Sequence, residues 1–402
     1  MQIVFVGPFG LQPKGTMSGR ALPLARALVA KGHSVTVLMP PWDDPDRAGK
    51  VWEDEGVQVV NVNLPQGGLS RLPLFFYILL TRHLVGRALA MQPDVVHLFK
   101  PKAYAGLTHW ALWWLRRWRG VLLRLVVDAD DWEQAWNEVL PYSPVQKKFF
   151  AWQEKWGLSH ADTITVASRA LEKLVVTQIG VDPARVYYLP NGCCSRGKTA
   201  DRRRPAADEL PVADLYASSS PTILLFSRFA EFRLERIVTM IRLVADQVPE
   251  ARWLIVGRGF RGEEKTLAAK LTRAGLEQYT HFVSEWIPPN QVPAYFTAAD
   301  VAVHPYDNTL LNRTKCSVKL IDLLAAGVPV VADAVGQNCE YIQPGVSGML
   351  IPAEDDEAFA QAVVTLLQEP ETRRKMGQAA AELIQENFAW SGLIHTVERA
   401  YR

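Results

Sequence analysis

The sequence is poor in the features that mark secreted, membrane-spanning and nucleic-acid-binding proteins. It has only four cysteines in 402 residues, without the CxxC spacing of a zinc site, so neither disulfides nor structural zinc are predicted. The most apolar stretch, Leu72 to Leu80, is far shorter than the roughly 20 residues that cross a bilayer, and the N-terminus does not resemble a signal peptide. The net charge of +2 gives no general attraction for nucleic acid. We therefore expect a cytoplasmic protein with reduced thiols.

The sequence does contain enough apolar material for two cores. Hydrophobic residues make up 49% and charged residues 21%, which is a globular composition, and the length suits two domains. Short Val- and Ile-rich runs alternate with helix-length segments, and continuous apolar runs indicate parallel strands covered on both faces. The predicted strands are 3–6, 34–39, 57–62, 95–98, 122–127, 163–166, 186–189, 222–226, 253–256, 281–283, 301–304 and 328–332. The fold class is therefore α/β, with two doubly wound, Rossmann-like domains.

The break between the two series has the composition of a surface linker. It contains Arg202-Arg203-Arg204-Pro205 and Ser218-Ser219-Ser220-Pro221. We predict a first domain at 1–192, a linker at 193–220, a second domain at 221–380, and a helix within 381–402 that packs back on the first domain. The two sheets are expected to face a shared cleft with their carboxyl ends, where ligands of doubly wound sheets bind.

The strongest local signal lies between residues 312 and 331. Ser317 is a good helix N-cap, and Gly327 followed by a proline closes the helix. The helix start, with Lys315 and Lys319 nearby, has the character of an anion site suited to a diphosphate. Asp322 is placed to accept hydrogen bonds from ribose hydroxyls. Taken alone, the pattern is equally typical of an exposed helix with solvated lysines.

The segment Ala325-Ala326-Gly327-Val328-Pro329-Val330-Val331 resembles the nucleotide-sugar helix of GT-B glycosyltransferases of family 4. The resemblance implies an E-x7-E motif whose first position falls on Thr314 and whose second falls on Asp322. Because Thr314 is not acidic, the contact to the donor sugar is expected to pass to Asp307 or Asn308. Backbone amides between these two positions are implied to contact the donor phosphates, and the implied donor-binding residues there are Lys315, Cys316, Ser317, Val318 and Lys319.

Two further segments of the second domain resemble the same family. The run from Ser227 to Arg233 matches G-R-x-x-x-x-K, which implies that Arg228 and Arg233 neutralise the diphosphate leaving group. The turn with Gly257 and Gly259 resembles the family's I-V-G-x-G donor-binding turn. Both segments follow predicted strands.

The same turn supports a competing interpretation. Gly257, Gly259 and Gly262 form a G-x-G-x-x-G between a strand and a helix, with Glu285 near the end of the next strand, which is the dinucleotide fingerprint. A complete strand–helix unit precedes this turn, whereas the fingerprint should follow the first strand of its domain. A NAD-dependent oxidoreductase therefore ranks second.

In the first domain, the loop from Gly7 to Arg20 resembles the family's glycine-rich loop, with Gly15 and Thr16 facing the donor. Pro190-Asn191-Gly192 resembles the P-N-G at the domain hinge. Asp130, after a predicted strand, stands where the family often has a histidine near the reacting centre, and base, acceptor-orienting and helix-capping roles remain open. The D-x-D from Asp128 to Asp130 does not indicate a metal site, because metal-dependent GT-A folds lack two βα repeats.

The resemblance implies a metal-independent, configuration-retaining glycosyltransferase that needs no cofactor. Its donor would be a nucleotide-diphosphate hexose, and its acceptor a glycan, a lipid-linked sugar or a small molecule, in polysaccharide biosynthesis. The replacement of the expected glutamate by Thr314 leaves a non-catalytic nucleotide-sugar-binding relative as a further alternative. The segment from Trp110 to Arg119 combines indoles and cations in a pattern typical both of a membrane interface and of a partly buried helix.

Overall fold

The computed structural model describes residues 1–11, 15–193, 220–285, 287–288 and 290–402. The chain forms two compact units. The first unit comprises Met1–Cys194, Thr314–Cys316 and Trp390–Arg402, and the second comprises Ser195–Arg313 and Ser317–Ala389. Most of the predicted linker, including Arg202 to Pro205, lies outside the described residues.

The first unit contains an eight-stranded sheet with the order β3-β4-β2-β1-β5-β6-β7-β8. Its strands are β1 (Gln2–Val6), β2 (Ser34–Met39), β3 (Val51–Asp54), β4 (Val57–Asn61), β5 (Val95–Phe99), β6 (Arg124–Ala129), β7 (Thr163–Val166) and β8 (Val186–Tyr188). Its helices within the described residues include α1 (Leu22–Ala30), α2 (Pro73–Ala90), α3 (Ala103–Arg119), α4 (Glu133–Val139), α5 (Pro144–His160) and α6 (Arg169–Leu174).

The second unit contains a six-stranded parallel sheet with the order β11-β10-β9-β12-β13-β14. Its strands are β9 (Thr222–Phe226), β10 (Arg252–Val256), β11 (Thr280–Val283), β12 (Val301–His304), β13 (Val330–Asp333) and β14 (Met349–Ile351). The helices from here onward are α7 (Leu234–Ala245), α8 (Glu263–Arg273), α9 (Val292–Ala298), α10 (Leu310–Thr314), α11 (Val318–Ala325), α12 (Asn338–Tyr341), α13 (Asp356–Gln368), α14 (Pro370–Asn387) and α15 (Trp390–Ala400).

Two doubly wound α/β sheets are therefore present, as the sequence predicts, with one departure in the first. Strand β3 pairs antiparallel with β4 at the sheet edge, so the first sheet is parallel except for this one edge strand. The sequence of β3, VWED, is half exposed and carries two acidic residues, which hides it from a search for continuous apolar runs. Strand β14 has only three residues and was likewise not predicted.

The segment 381–402 consists of the end of α14 and the separate helix α15. Helix α15 belongs to the first unit, where Trp390, Ile394 and Val397 are buried in a core shared with β1 and β2. Just beyond it, the Tyr401 hydroxyl lies 2.7 Å from Nδ1 of buried His97 on β5. Burial lowers the pKa of His97 to about 4, so its imidazole is neutral near pH 7.

No helix within the described residues is both long enough and apolar enough to cross a membrane. The longest described helices, α2 and α14, each have 18 residues.

Candidate active site

Three of the sequence-predicted site residues, Asp130, Arg228 and Asp307, lie just beyond the carboxyl ends of strands near the middle of their sheets. In the first unit the strand order changes direction between β1 and β5, and in the second between β9 and β12. Side chains that follow these strands lie at the positions where doubly wound sheets bind ligands. Asp130 follows β6, Arg228 follows β9, and Asp307 follows β12.

In the first unit, Thr16 and Asp130 are in direct contact although they are 114 residues apart. The Thr16 hydroxyl donates to Oδ2 of Asp130 at 2.8 Å. The other carboxylate oxygen lies 2.8 Å from Nζ of Lys100, which follows β5. Gly15, next to Thr16, is exposed, and residues 12–14 of the predicted glycine-rich loop lie outside the described residues. The structure thus joins two predicted residues directly and adds Lys100, which was not predicted, on the other side of Asp130.

Asp130 is buried and has a perturbed acidity. Burial is the main cause that raises its pKa to about 6, and the nearby carboxylates of Asp131, Asp128 and Glu133 add to it, while Lys100 opposes the rise. A carboxyl group with such a pKa changes its protonation state close to neutral pH. Asp130 can therefore either accept a proton or hold a hydroxyl by hydrogen bonding.

A fully buried arginine fixes the start of the helical segment that follows Thr16. Arg20 donates to both carboxylate oxygens of Asp128, each at 2.8 Å, and to Oδ1 of Asn191 at 3.0 Å. Burial alone would raise the pKa of Asp128, but the Arg20 pair holds it below its usual value. The bidentate pair ties the glycine-rich loop to the end of β6 and to the predicted P-N-G motif.

Three of the predicted donor-binding positions, Thr314, Lys315 and Cys316, belong to the first unit. The side-chain amide of Asn191 donates to the carbonyl oxygen of Cys316 at 2.8 Å, and Ser168 Oγ donates to the carbonyl oxygen of Thr314 at 2.7 Å. Thr314 is buried, and Lys315 Nζ lies 5.6 Å from the ring centre of Trp136. The backbone of this segment therefore supplies structural contacts to the first unit.

In the second unit, cationic side chains cluster near the end of β9. Lys319, in the first turn of α11, has its Nζ 4.3 Å from the ring centre of Phe226, the last residue of β9. Arg228 follows two residues later, with its guanidinium 5.9 Å from the ring of Phe260. Arg233 is 63% exposed and approaches Asp307 at 3.6 Å. Lys319 therefore lies against the last residue of β9, while Arg228 and Arg233 belong to the loop that follows this strand.

Asp307 is engaged within the protein. One carboxylate oxygen accepts the Arg233 backbone N–H at 2.9 Å, and the other accepts from the buried Arg236 at 2.9 Å. Arg236 also contacts Asp333 and Asp356, at 3.0 and 2.6 Å. These contacts make Asp307 a support for the loop after β9, whereas Asn308 beside it is exposed.

The two glycines of the turn after β10 have local structural roles that do not require a bound dinucleotide. Gly257 has a φ of +132°, and a Cβ there would overlap the carbonyl oxygen of Ser227. The N–H of Gly259 donates to Glu264 Oε2 at 2.9 Å. Because this amide already binds a carboxylate of the helix that follows it, the turn is a poor site for a second anion. Gly262 has a φ of +80° at the start of α8, and Glu285 is exposed.

The start of α11 has the predicted cap. Ser317 Oγ accepts the N–H of Leu320 at 3.2 Å, and Gly327 beyond the helix has a φ of +68°. Val318 and Lys319 form the first turn. Asp322, one turn on, is accessible to solvent but is surrounded by enough protein to raise its pKa to about 7 by desolvation. The segment thus combines a helix N-terminus, a cation and a carboxylate.

Lys100, Arg20 and Arg236 were not predicted from the sequence. Each is a buried cation that contacts carboxylates distant in the chain. No local motif signals such a pair, although the position of Lys100 directly after a predicted central strand is a usable hint. A recess of about 570 Å³ beside Arg82 and Arg87 is not lined by any of the predicted site residues.

Comparison with known proteins gives consistent matches. A family model described as Glycosyl transferase 4-like domain matches residues 15–192, and one described as Glycosyl transferases group 1 matches residues 220–369. Phosphatidyl-myo-inositol mannosyltransferase of Mycobacterium leprae (strain TN) is 25% identical over 405 residues, covering 100% of this chain and 96% of that protein.

Two solved structures show the same fold over nearly the whole chain. Sucrose-phosphate synthase from Thermosynechococcus elongatus has a TM-score of 0.74 at 20% identity, covering 100% of this chain and 98% of that one. HepE from Anabaena, in complex with UDP and glucose, has a TM-score of 0.70 at 17% identity, covering 99% and 98%.

Proposed function

Since the chain belongs to the family 4 glycosyltransferases and has the GT-B fold, we propose that it transfers a mannosyl or glucosyl group from a nucleoside diphosphate to a lipid-linked acceptor. The transfer is metal-independent and retains the configuration of the sugar. The relative from Mycobacterium leprae, which this chain matches over nearly its full length, is named phosphatidyl-myo-inositol mannosyltransferase, and this name supports the lipid acceptor and the mannosyl group. The HepE structure holds UDP and glucose, which supports a nucleoside diphosphate donor and the glucosyl group.

The observation that carries the donor site is the cation cluster at the end of β9. Lys319 against Phe226 brings the capped start of α11 to the loop that holds Arg228 and Arg233. A diphosphate placed there meets three cations and the positive end of a helix. Asp322 then receives hydrogen bonds from the ribose hydroxyls.

The proposed mechanism depends on how the protein stabilises the negative charge that develops on the leaving diphosphate. The bond between the anomeric carbon and the diphosphate oxygen breaks, and the leaving diphosphate gains negative charge beside Arg228, Arg233 and Lys319. Preorganised cations that meet developing charge usually supply the largest share of catalysis. The acceptor oxygen bonds to the same face of the anomeric carbon, and its proton passes to a phosphate oxygen. Asp130, fixed by Thr16, orients the acceptor hydroxyl.

A lipid-linked acceptor is supported by a surface of the first unit that we call the basic aromatic surface, formed by α2, α3 and α5. Helix α3 packs against both of the others. Together the three helices carry eight cations and a single carboxylate, Glu154, which is buried and accepts the backbone N–H of Glu133 at 2.7 Å. Two of the cations pair with neighbouring segments, Arg116 with Asp162 and Lys147 with Glu138.

Large apolar side chains are exposed on the same surface. Trp118 is 76% exposed, and Leu74 and Ile78 of α2 are 69% and 54% exposed. Neighbouring indoles continue from α3 to α5, with ring centres 4.8 to 6.5 Å apart in the pairs Trp110–Trp114, Trp114–Trp118, Trp113–Trp114, Trp113–Trp156 and Trp152–Trp156. Indoles with interspersed arginines are typical of protein surfaces that lie in the headgroup region of anionic bilayers.

The donor assignment is tested first by binding. In a thermal-shift screen of the full chain against UDP, GDP, ADP, their common sugar conjugates and NAD, we expect one nucleoside diphosphate and its hexose conjugate to raise the melting temperature. Stabilisation by NAD alone would favour the oxidoreductase, which the occupied Gly259 amide already disfavours. Stabilisation by the donor without any transfer would favour the non-catalytic relative.

The mechanism is tested by Arg228→Ala and Arg233→Ala. Loss of one preorganised charge partner should lower kcat by about 100-fold. Arg273→Ala, at an exposed position of α8 in the same unit, is the control and should leave kcat unchanged. NMR of the product should show the anomeric configuration of the donor, and EDTA should not change the rate. Full transfer by Arg228→Ala would contradict the mechanism.

A further inference from the structure

A buried lysine lies among three carboxylates at the carboxyl ends of β5 and β6. Nζ of Lys100 is 2.8 Å from Oδ1 of Asp130, 3.0 Å from Oδ2 of Asp131 and 2.8 Å from Oε1 of Glu133. One oxygen from each carboxylate lies within 4.8 Å of the others, which is the spacing of ligands around a metal ion. The ammonium group stands in the middle of this set.

The backbone around Lys100 has uncommon torsion angles at the point where its side chain enters the carboxylate cluster. Lys100 has a φ of +62° and Ala103 a φ of +50°, which non-glycine residues rarely adopt. The Lys100 N–H donates to the carbonyl oxygen of Asp128 at 2.9 Å, so the loop is pinned to β6. Two uncommon torsions in four residues persist only where the surrounding structure over-determines them, which is frequent at functional sites.

A second ammonium group completes the charge balance. Nζ of Lys102 is 2.9 Å from the other oxygen of Glu133 and 3.3 Å from Oδ1 of Asn137. Lys100 and Lys102 thus offset two of the three negative charges, in surroundings where an unpaired charge is costly. Loss of Lys100 would leave one cation against three carboxylates.

We infer that Lys100 is a positioning residue that takes the place of a divalent cation in this carboxylate cluster and holds Asp130 ionised in a fixed orientation. The orientation is fixed from both sides, because Thr16 donates to Oδ2 while Lys100 contacts Oδ1. The orientation of the acceptor hydroxyl by Asp130 rests on the proposed function. The replacement of a metal ion by the Lys100 ammonium group does not depend on that function.

The charged groups that face Asp130 come from four elements. They are Lys100 after β5, Asp128 of β6 with Asp131 just beyond it, Glu133 of α4, and Arg20 in the helical segment after Thr16. Burial and the three carboxylates raise the pKa of Asp130 to about 6 even with Lys100 present. Removing Lys100 removes the strongest opposing influence, so this pKa rises further, and the acidic limb of the pH–rate profile moves to higher pH.

The test replaces Lys100 by alanine, which removes the charge and vacates the position that the ammonium group holds among the three carboxylates. In Lys100→Ala we expect Mn²⁺ alone to bind in calorimetry and to raise the melting temperature, whereas the wild type shows neither effect. The acidic limb of the pH–rate profile should move up by about one unit, equivalent to a tenfold change in proton affinity. Lys100→Arg, which keeps the charge, should resemble the wild type in both measurements.

A second measurement covers the case in which the single variant does not fold without metal. Mn²⁺ should then restore a cooperative unfolding transition to Lys100→Ala, whereas Lys100→Ala combined with Asp131→Asn, which restores the charge balance and removes one carboxylate, should fold alone and not respond to Mn²⁺. Absence of any Mn²⁺ effect on Lys100→Ala, with an unchanged acidic limb where this variant folds, would overturn the inference. The Mn²⁺ measurements need no donor or acceptor, so failure of the proposed function would leave them interpretable.

Discussion

Two glycines of the second unit share a positive φ but differ in their surroundings. Gly257 has a φ of +132° and leaves no room for a Cβ beside Ser227, whereas Gly275 has a φ of +67° with no atom within 4 Å of the point where a Cβ would stand. A side chain at Gly257 is therefore disfavoured both by the backbone torsion and by lack of space, whereas at Gly275 only the torsion disfavours it. This pair separates the two effects within one folded unit.

We expect Gly257→Ala to lower the free energy of unfolding of the second unit by about 3 kcal/mol, because strain in the torsion adds to overpacking. Gly275→Ala should cost only about 1 kcal/mol, which is the torsional part. Urea denaturation of both variants measures the difference. Equal costs in the two variants would show that the contact with Ser227 relaxes freely.

The residues found from sequence and those missed differ in the range of their contacts. Ser317 and Gly327 act on their own helix, so local capping rules identify them. Arg20 and Arg236 form ion pairs with aspartates that are 71 to 120 residues away in the chain. No local sequence motif near either arginine indicates these partners. Asp307 was identified as a candidate sugar contact, but its ion pair with Arg236 could not be anticipated.

At the scale of elements, strands with continuous apolar sequence were predicted well. Residues 163–166, 222–226 and 301–304 coincide with β7, β9 and β12, because central parallel strands must be apolar on both faces. Strand β3 was missed because an edge strand exposes one side, and its charged residues interrupt the pattern. The terminal helix α15, Trp390–Ala400, lies inside the predicted segment 381–402, whose first residues belong to α14.

The basic aromatic surface makes a prediction for helix α3. Arg117→Gln with Arg119→Gln should reduce binding to vesicles rich in phosphatidylglycerol by about 30-fold, since each arginine near an anionic surface contributes about 1 kcal/mol. Vesicle flotation at several salt concentrations measures the loss. The matched control is Arg374→Gln with Lys375→Gln on α14, which should bind like the wild type.

The salt series distinguishes this surface from a non-specific charge effect. Wild-type binding should weaken with rising ionic strength but keep a residual part from exposed Trp118 and Leu74. Equal binding by the α3 variant and the wild type at low salt would exclude the surface as a membrane contact.

At the scale of the whole molecule, the first unit is not a contiguous piece of chain. Residues 1–193 form its sheet, but Trp390, Ile394, Val397 and Tyr401 close one side of its core. Burying each of these side chains contributes about 1.5 to 3 kcal/mol, and their sum rivals the whole stability of a typical domain. A fragment ending at residue 193 should therefore be poorly folded.

We expect residues 1–193 alone to bind a hydrophobic dye and to show no cooperative unfolding. Fusing residues 390–402 to that fragment through a flexible linker should restore a cooperative transition in circular dichroism. A fragment 1–193 that unfolds as cooperatively as the fusion would contradict the structural role of α15.

The same discontinuity sets an order of events during synthesis. The first unit emerges from the ribosome early, yet it lacks its last helix until nearly 200 more residues have been translated, which at about 5 to 20 residues per second takes roughly 10 to 40 seconds. In that interval the groove that later receives Trp390 is open to other apolar segments, so the nascent chain is most vulnerable to aggregation while the second unit is being made. The first unit is thus completed only after the second unit has been translated, and a chaperone acting during that interval should raise the yield of folded protein.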